Sequence, residues 1–189
     1  MVMIHRPDID IDFGNRDDIL ALIDHIPASI NSTKKHNSGV YVQQIPTDPL
    51  NNTASIPYKE ADNRGYFKLD FLNVSIYKNI RDQDHYNKLL QDDIPWHKLQ
   101  DPVFVSELVH ISNYFDILQQ MKPSSINEMA MFLAAIRPGK KHLLGKEWSE
   151  VQKTIWEKPQ GSDYYFKKSH SISYAVLVGL HMNILNENH

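Results

Sequence analysis

Apolar and acidic residues alternate strictly from Asp8 through Ile9, Asp10, Ile11 and Asp12 to Phe13. Successive side chains of a strand point to opposite faces. The pattern therefore predicts a strand with Ile9, Ile11 and Phe13 towards a core and Asp8, Asp10 and Asp12 on the other face. Asn15, with Asp18 three residues later, is close to a capping box. Ile19, Leu22, Ile23 and Ile26 then recur at helical spacing and Pro27 follows, so a helix is expected there. Residues 28–38 are polar and read as loop. Residues 39–45 read as a second strand, and residues 47–58, flanked and interrupted by Pro46, Pro49 and Pro57, as a turn-rich connection. Residues 65–72 form a third strand, with Phe67, Leu69 and Phe71 on one face and Lys68 and Asp70 on the other.

From Ser75 onward the periodicity is helical. Helices are expected over 76–91, 104–121, from a cap at Ser124 or Ser125 to Ile136, over 147–156 and over 169–185. The expected class is α+β. A small mixed or antiparallel sheet in residues 1–75 carries the acids, and helices of residues 76–189 back it in a single compact unit.

Composition narrows the partners more than the fold. Among 189 residues, 41% are hydrophobic and 23% charged, as in an ordinary globular domain. The net charge of −3 gives no global basic field, so any nucleic-acid surface must be local. Lys34-Lys35, Lys140-Lys141 and Lys167-Lys168 are its candidates. The absence of cysteine excludes disulfides and thiolate metal sites. Neither a signal peptide nor a membrane span is visible, which predicts a cytoplasmic protein with no membrane partner.

Candidate chemistry starts with the acids. Carboxylates about 4 Å apart at an effective dielectric of about 20 repel by roughly 4 kcal/mol per pair. A hard divalent cation removes that cost. An edge strand whose acids face water is the plainer alternative. Asp70 is a lone acid in an apolar strand. It can join Asp8 and Asp10 if its strand lies beside the first; the alternative is that it pairs with a nearby lysine at the sheet edge.

Five blocks, in order and covering most of the chain, resemble family C DNA polymerases, the bacterial replicative type. Pro7-Asp8-Ile9-Asp10-Ile11-Asp12-Phe13 with Arg16-Asp17 resembles the first palm motif. Lys35-His36-Asn37-Ser38-Gly39-Val40 is similar to the Lys-His-Ala-Gly-Gly-Val block, and Lys68-Leu69-Asp70-Phe71-Leu72 to the second palm motif. Residues 117–139, with Lys122-Pro123 and Arg137-Pro138-Gly139, resemble the finger segment. Tyr165-Phe166-Lys167-Lys168-Ser169-His170-Ser171, followed by Tyr174-Ala175, resembles the Gly-Phe-Asn-Lys-Ser-His block.

The resemblance implies a palm related to the polymerase β nucleotidyltransferase fold. It implies Asp8, Asp10 and Asp70 as the catalytic acids and Asp12 as a further ligand, holding Mg²⁺ or Mn²⁺. The metals would clamp the oxygens of an in-line displacement by a primer 3′-hydroxyl. His36, Ser38, Gly39, Arg137, Lys168, Ser169 and His170 would approach the nucleotide. The implied partners are a DNA primer-template, a nucleoside triphosphate and a second polymerase subunit. Residue by residue, plainer roles stand beside these: Arg137 capping a helix end, Lys168 solvated, His170 a core histidine.

The sequence also departs from the family. A Gly-Ser loop ahead of the aspartates is not expected. The stretch from Phe13 to Lys34 is too short for a thumb, and the segment between Gly139 and Lys168 is shortened. Lys167 stands where the family has asparagine. Two other readings therefore remain open: an impaired palm that binds nucleic acid or a replisome, and one part of a split polymerase.

Overall fold

The computed structural model describes residues 9–31, 34–158 and 166–188. The chain is α+β, with a boundary between Asn79 and Ile80 that separates two compact units, each with its own core. The alternating stretch forms β1 (Ile9–Phe13). Asn15 caps α1 (Arg16–Leu20), its Oδ1 accepting from the Asp17 N–H and its Nδ2 donating to Asp18 Oδ1 at 2.8 Å.

This helix is far shorter than its apolar spacing predicts. Leu22 is 81% exposed, and Ile26 begins β2 (Ile26–Asn31) instead of closing a helical stripe. The hairpin partner is β3 (Lys34–Tyr41), so the polar stretch read as loop is largely strand. Pro27 fits because β2 lies at the end of the sheet, where a missing N–H breaks no ladder. Ala28 and Ser29 are fully buried. The Ser29 hydroxyl donates to the Ile56 carbonyl at 3.1 Å.

A short hairpin of two-residue strands follows, β4 (Thr47–Asp48) and β5 (Thr53–Ala54), then α2 (Tyr58–Asn63), beyond which Gly65 has φ +87°. β6 (Leu69–Asn73) completes the first unit's sheet, followed by a 3₁₀ turn at Ser75–Asn79. The strand order is β1-β6-β3-β2. β6 therefore lies inside the sheet, parallel to β1 and antiparallel to β3. Ala28, Tyr41, Ile45, Ala54, Ile56 and Ala61 form this unit's main buried cluster. The expected inward face of β1 is only partly realised: Ile9 is 44% exposed, while Phe13 packs on Phe71 with ring centroids 5.0 Å apart.

The second unit is helical. Asp82 caps α3 (Gln83–Gln91), and Asp101 with Pro102 starts α4 (Pro102–Glu107). The helix expected over 104–121 is in fact two, α4 and α5 (Phe115–Met121), with His110 at φ +66° in the break between them. Ser125 caps α6 (Ile126–Ala135), in which Met129 through Ala135 are all buried. A helix apolar on every side belongs at the centre of a bundle. α7 (Trp148–Thr154) and α8 (Lys168–Asn188) complete the unit, and α8 packs along α6. No helix among the described residues is long and apolar enough to cross a membrane.

Candidate active site

The sheet register brings two of the predicted acids together. Asp10 is the partner of Asp70 in the parallel β1–β6 pair, and Asp12 is the partner of Leu72. In-register residues of neighbouring strands share a face, and residues two apart share it too. Asp10, Asp12 and Asp70 therefore lie on one side of the sheet. Asp8 lies outside the described residues. Desolvation first, and the nearby Asp10 charge second, raise the pKa of Asp12 above 3.8.

Asp70 is buried and surrounded by polar groups. Lys68 Nζ forms an ion pair with its Oδ2, and the Ser38 hydroxyl donates to Oδ1 at 2.7 Å. The lysine pairing weighed from the sequence is thus present, but in the sheet interior and not at its edge. Lys68 also lies over the Tyr58 ring, 5.8 Å from its centroid. His36 Nδ1 accepts from the Gly39 N–H at 2.9 Å and the Ser38 N–H at 3.3 Å. That nitrogen carries no proton while it accepts, so its 3.7 Å approach to Asp70 Oδ1 is proximity without an ion pair.

Gly39 is the register partner of Asp70. A Cβ there would sit 2.8 Å from Lys68 Cδ and 3.0 Å from His36 Nδ1. Only glycine lets these two side chains meet over the strand.

Arg16 ties β3 to β6. Its Nη1 donates to the carbonyls of Asn37 and Phe71, and its backbone N–H donates to Asn73 Oδ1 at 2.7 Å. Arg16, Asn37, Asn73 and Tyr58 escaped residue-by-residue reading. Arg16 and Asn37 are visible only as members of the first palm motif and the Lys-His block, and Asn73 and Tyr58 carry no signal in the sequence.

Arg137, Lys168, Ser169 and His170 belong to the second unit. Arg137 stacks over Phe166 at 4.8 Å, and Phe166 neighbours His170 and Tyr174. Arg137 Nε is buried and has no hydrogen-bond partner among the described residues. His110 packs edge-on to Tyr174 at 4.4 Å. Burial, then the Arg137 charge, lower its pKa from 6.5. Lys168 is exposed above Trp156, 5.9 Å from the ring centroid, and Ser169 and His170 are exposed.

The lysine pairs expected at a surface divide. Lys34 and Lys35 are exposed, whereas Lys140 is 4% exposed and its Nζ donates to the Thr154 carbonyl at the end of α7. Lys140 is therefore a helix-end partner and does not face a ligand.

Among the described residues, no group of three or more His, Asp or Glu side chains is arranged to hold a metal ion. Asp10, Asp12 and Asp70 share a face and carry the oxygen atoms hard cations take, but both oxygens of Asp70 are engaged by Lys68 and Ser38. Comparisons with protein-family models, curated proteins and solved structures find no match.

Proposed function

We propose that this chain is a nucleotidyltransferase of the family C DNA polymerase type, built on a reduced polymerase β-like palm. It would add a nucleotide from a triphosphate to a nucleic-acid 3′-hydroxyl. The observation that carries this reading is the register of β1 against β6, which sets Asp10 beside Asp70 on one face with Asp12 next to them. Asp70 is already compensated by Lys68 and Ser38, whereas the exposed Asp10 and Asp12 on the same face have no such partner among the described residues, and a hard cation would offset their mutual repulsion.

Asp10, Asp70 and Asp12 would hold Mg²⁺ or Mn²⁺, with Asp8 as a further ligand. The ion would supply charge neutralisation at the reacting phosphate. The protein's own groups prepare this. Ser38 orients Asp70 through Oδ1. Lys68 neutralises Asp70 in the metal-free protein. His36 braces the backbone of Ser38 and Gly39 from its Nδ1.

The Lys68–Asp70 ion pair also favours a second reading, in which the ammonium permanently occupies the cation's place. The chain is then an impaired palm that binds nucleic acid or a polymerase subunit. Manganese titration of the full chain separates the two. Under the first reading Mn²⁺ binds, and Asp10→Asn and Asp70→Asn each weaken it at least about tenfold, or about 1.4 kcal/mol. Primer extension by the wild type, lost in Asp10→Asn, completes that result. Absence of any Mn²⁺ site in the wild type leaves the second reading.

A further inference from the structure

The first unit holds an open hollow of about 370 Å³ lined by Arg16, Asp17, Lys35, His36, Asn37 and Asn73. Arg16 is 8% exposed. Its two side-chain hydrogen bonds go to neutral backbone carbonyls, and among the described residues no carboxylate lies within ion-pair distance of it. A guanidinium has five N–H donors, and a buried charge without a counter-charge is costly. Among the side chains that line the hollow, Arg16 and Lys35 against Asp17 leave one positive charge in excess. The side-chain amides of Asn37 and Asn73 add neutral donors at its wall.

We propose that this hollow seats one phosphodiester of a nucleic-acid strand. A single excess positive charge matches the single negative charge of a phosphodiester, and not the several charges of a triphosphate tail. Arg16 supplies a pre-placed cation from the floor, and exposed Lys35 closes on the phosphate from the rim. His36 belongs both to the hollow and to the surroundings of Asp70, so a strand anchored here runs past the acidic face. The inference deepens the nucleotidyltransferase reading and rests on it for the identity of the strand.

The test is binding of a short labelled single-stranded oligodeoxynucleotide to the full chain, by fluorescence anisotropy over a salt series in EDTA. Without divalent metal, failure here is separate from failure of the metal reading, which the manganese titration decides. Lys35→Ala should flatten the slope of log K against log salt by about 0.7, the increment for one single-strand phosphate contact. Lys146→Ala, which removes an equal charge from the second unit, should leave the slope at the wild-type value. Arg16→Gln should weaken binding at least tenfold. If that variant does not fold, because Arg16 also ties the Asn37 and Phe71 carbonyls, the Lys35 result decides alone. An undiminished slope in Lys35→Ala, equal losses for both lysines, or no oligonucleotide binding at all would overturn the proposal. A larger loss on Lys35→Ala for a nucleoside triphosphate than for the strand would also overturn it.

Discussion

Gly39 is the residue on which the surroundings of Asp70 turn. It pairs with Asp70 across the β3–β6 ladder, and Lys68, His36 and Ala28 all close on the place where a Cβ would stand. Gly39→Ala should cost about 1–3 kcal/mol through overpacking, read from the urea midpoint, and should displace Lys68 from Asp70. A variant as stable as the wild type would show that the strand yields easily there.

Asp12 offers a second residue-scale prediction. Its folded pKa is raised by desolvation and by Asp10, so its ionisation opposes folding. Stability from this group improves as pH falls from the raised folded value towards 3.8. Asp12→Asn should therefore raise the melting temperature in metal-free buffer at neutral pH. Under the proposed function it should lower Mn²⁺ affinity in the same buffer. A melting temperature that falls would mean the carboxylate has a stabilising partner.

At the scale of elements, the end of α8 holds α3 at both of its ends. Glu187 receives hydrogen bonds from Lys88 Nζ and from His85 Nε2, the latter at 2.8 Å. The Asn183 amide donates to the carbonyls of Leu89 at 2.9 Å and Asp92 at 3.2 Å. The Lys88 and His85 hydrogen bonds lower the Glu187 pKa from 4.5 to about 2. A depressed acid stabilises the fold above its unfolded value and loses that contribution as pH falls through the folded one. Glu187→Gln should lower the melting temperature at neutral pH and flatten its fall between pH 4.5 and about 2. The two proteins should become alike at the acid end of that range. Identical acid profiles throughout would mean that solvent screens the cluster completely.

For the whole molecule, two cores of unequal size predict unequal resistance to opening. The first unit buries a few small and aromatic side chains about Tyr41, whereas the second buries a continuous cluster from Leu99 to Met182. Amide exchange should therefore be faster at Val40, Tyr41 and Phe71 than at Phe132 and Leu133. Under the proposed function, added Mn²⁺ should slow exchange in β1 and β6 selectively, since a ligand stabilises what it binds.

The helical unit carries its own acid sensitivity. Burial is the leading cause that lowers the pKa of both His110 and His181 from 6.5, and His181 Nδ1 accepts the Val109 N–H at 3.1 Å. Groups kept neutral by folding take up protons on unfolding. The second unit should lose stability as pH falls below 6.5, before Glu187 begins to matter. His181→Leu should remove part of that loss while leaving the Val109 N–H unpaired, at a cost of about 1–3 kcal/mol at neutral pH. Exchange rates in α8 followed against pH would read both effects.

The local rules written in single residues were legible. Strict alternation predicted β1, the serine pair Ser124-Ser125 predicted the start of α6, which Ser125 caps, and the long apolar run predicted α8. Helical spacing at Ile23 and Ile26 misled, because pairing with β3 claimed Ile26 for a strand, and a tertiary partner outweighs a short periodic stretch. The sequence by itself determined an α+β chain and an acidic face on its first strand, since composition and period are properties of neighbours along the chain. Only the tertiary structure decided that β6 enters the sheet parallel to β1 with Asp10 opposite Asp70, and that Arg16 bonds the Asn37 and Phe71 carbonyls. Register depends on the sum of contacts between distant segments, and no local spacing contains that sum.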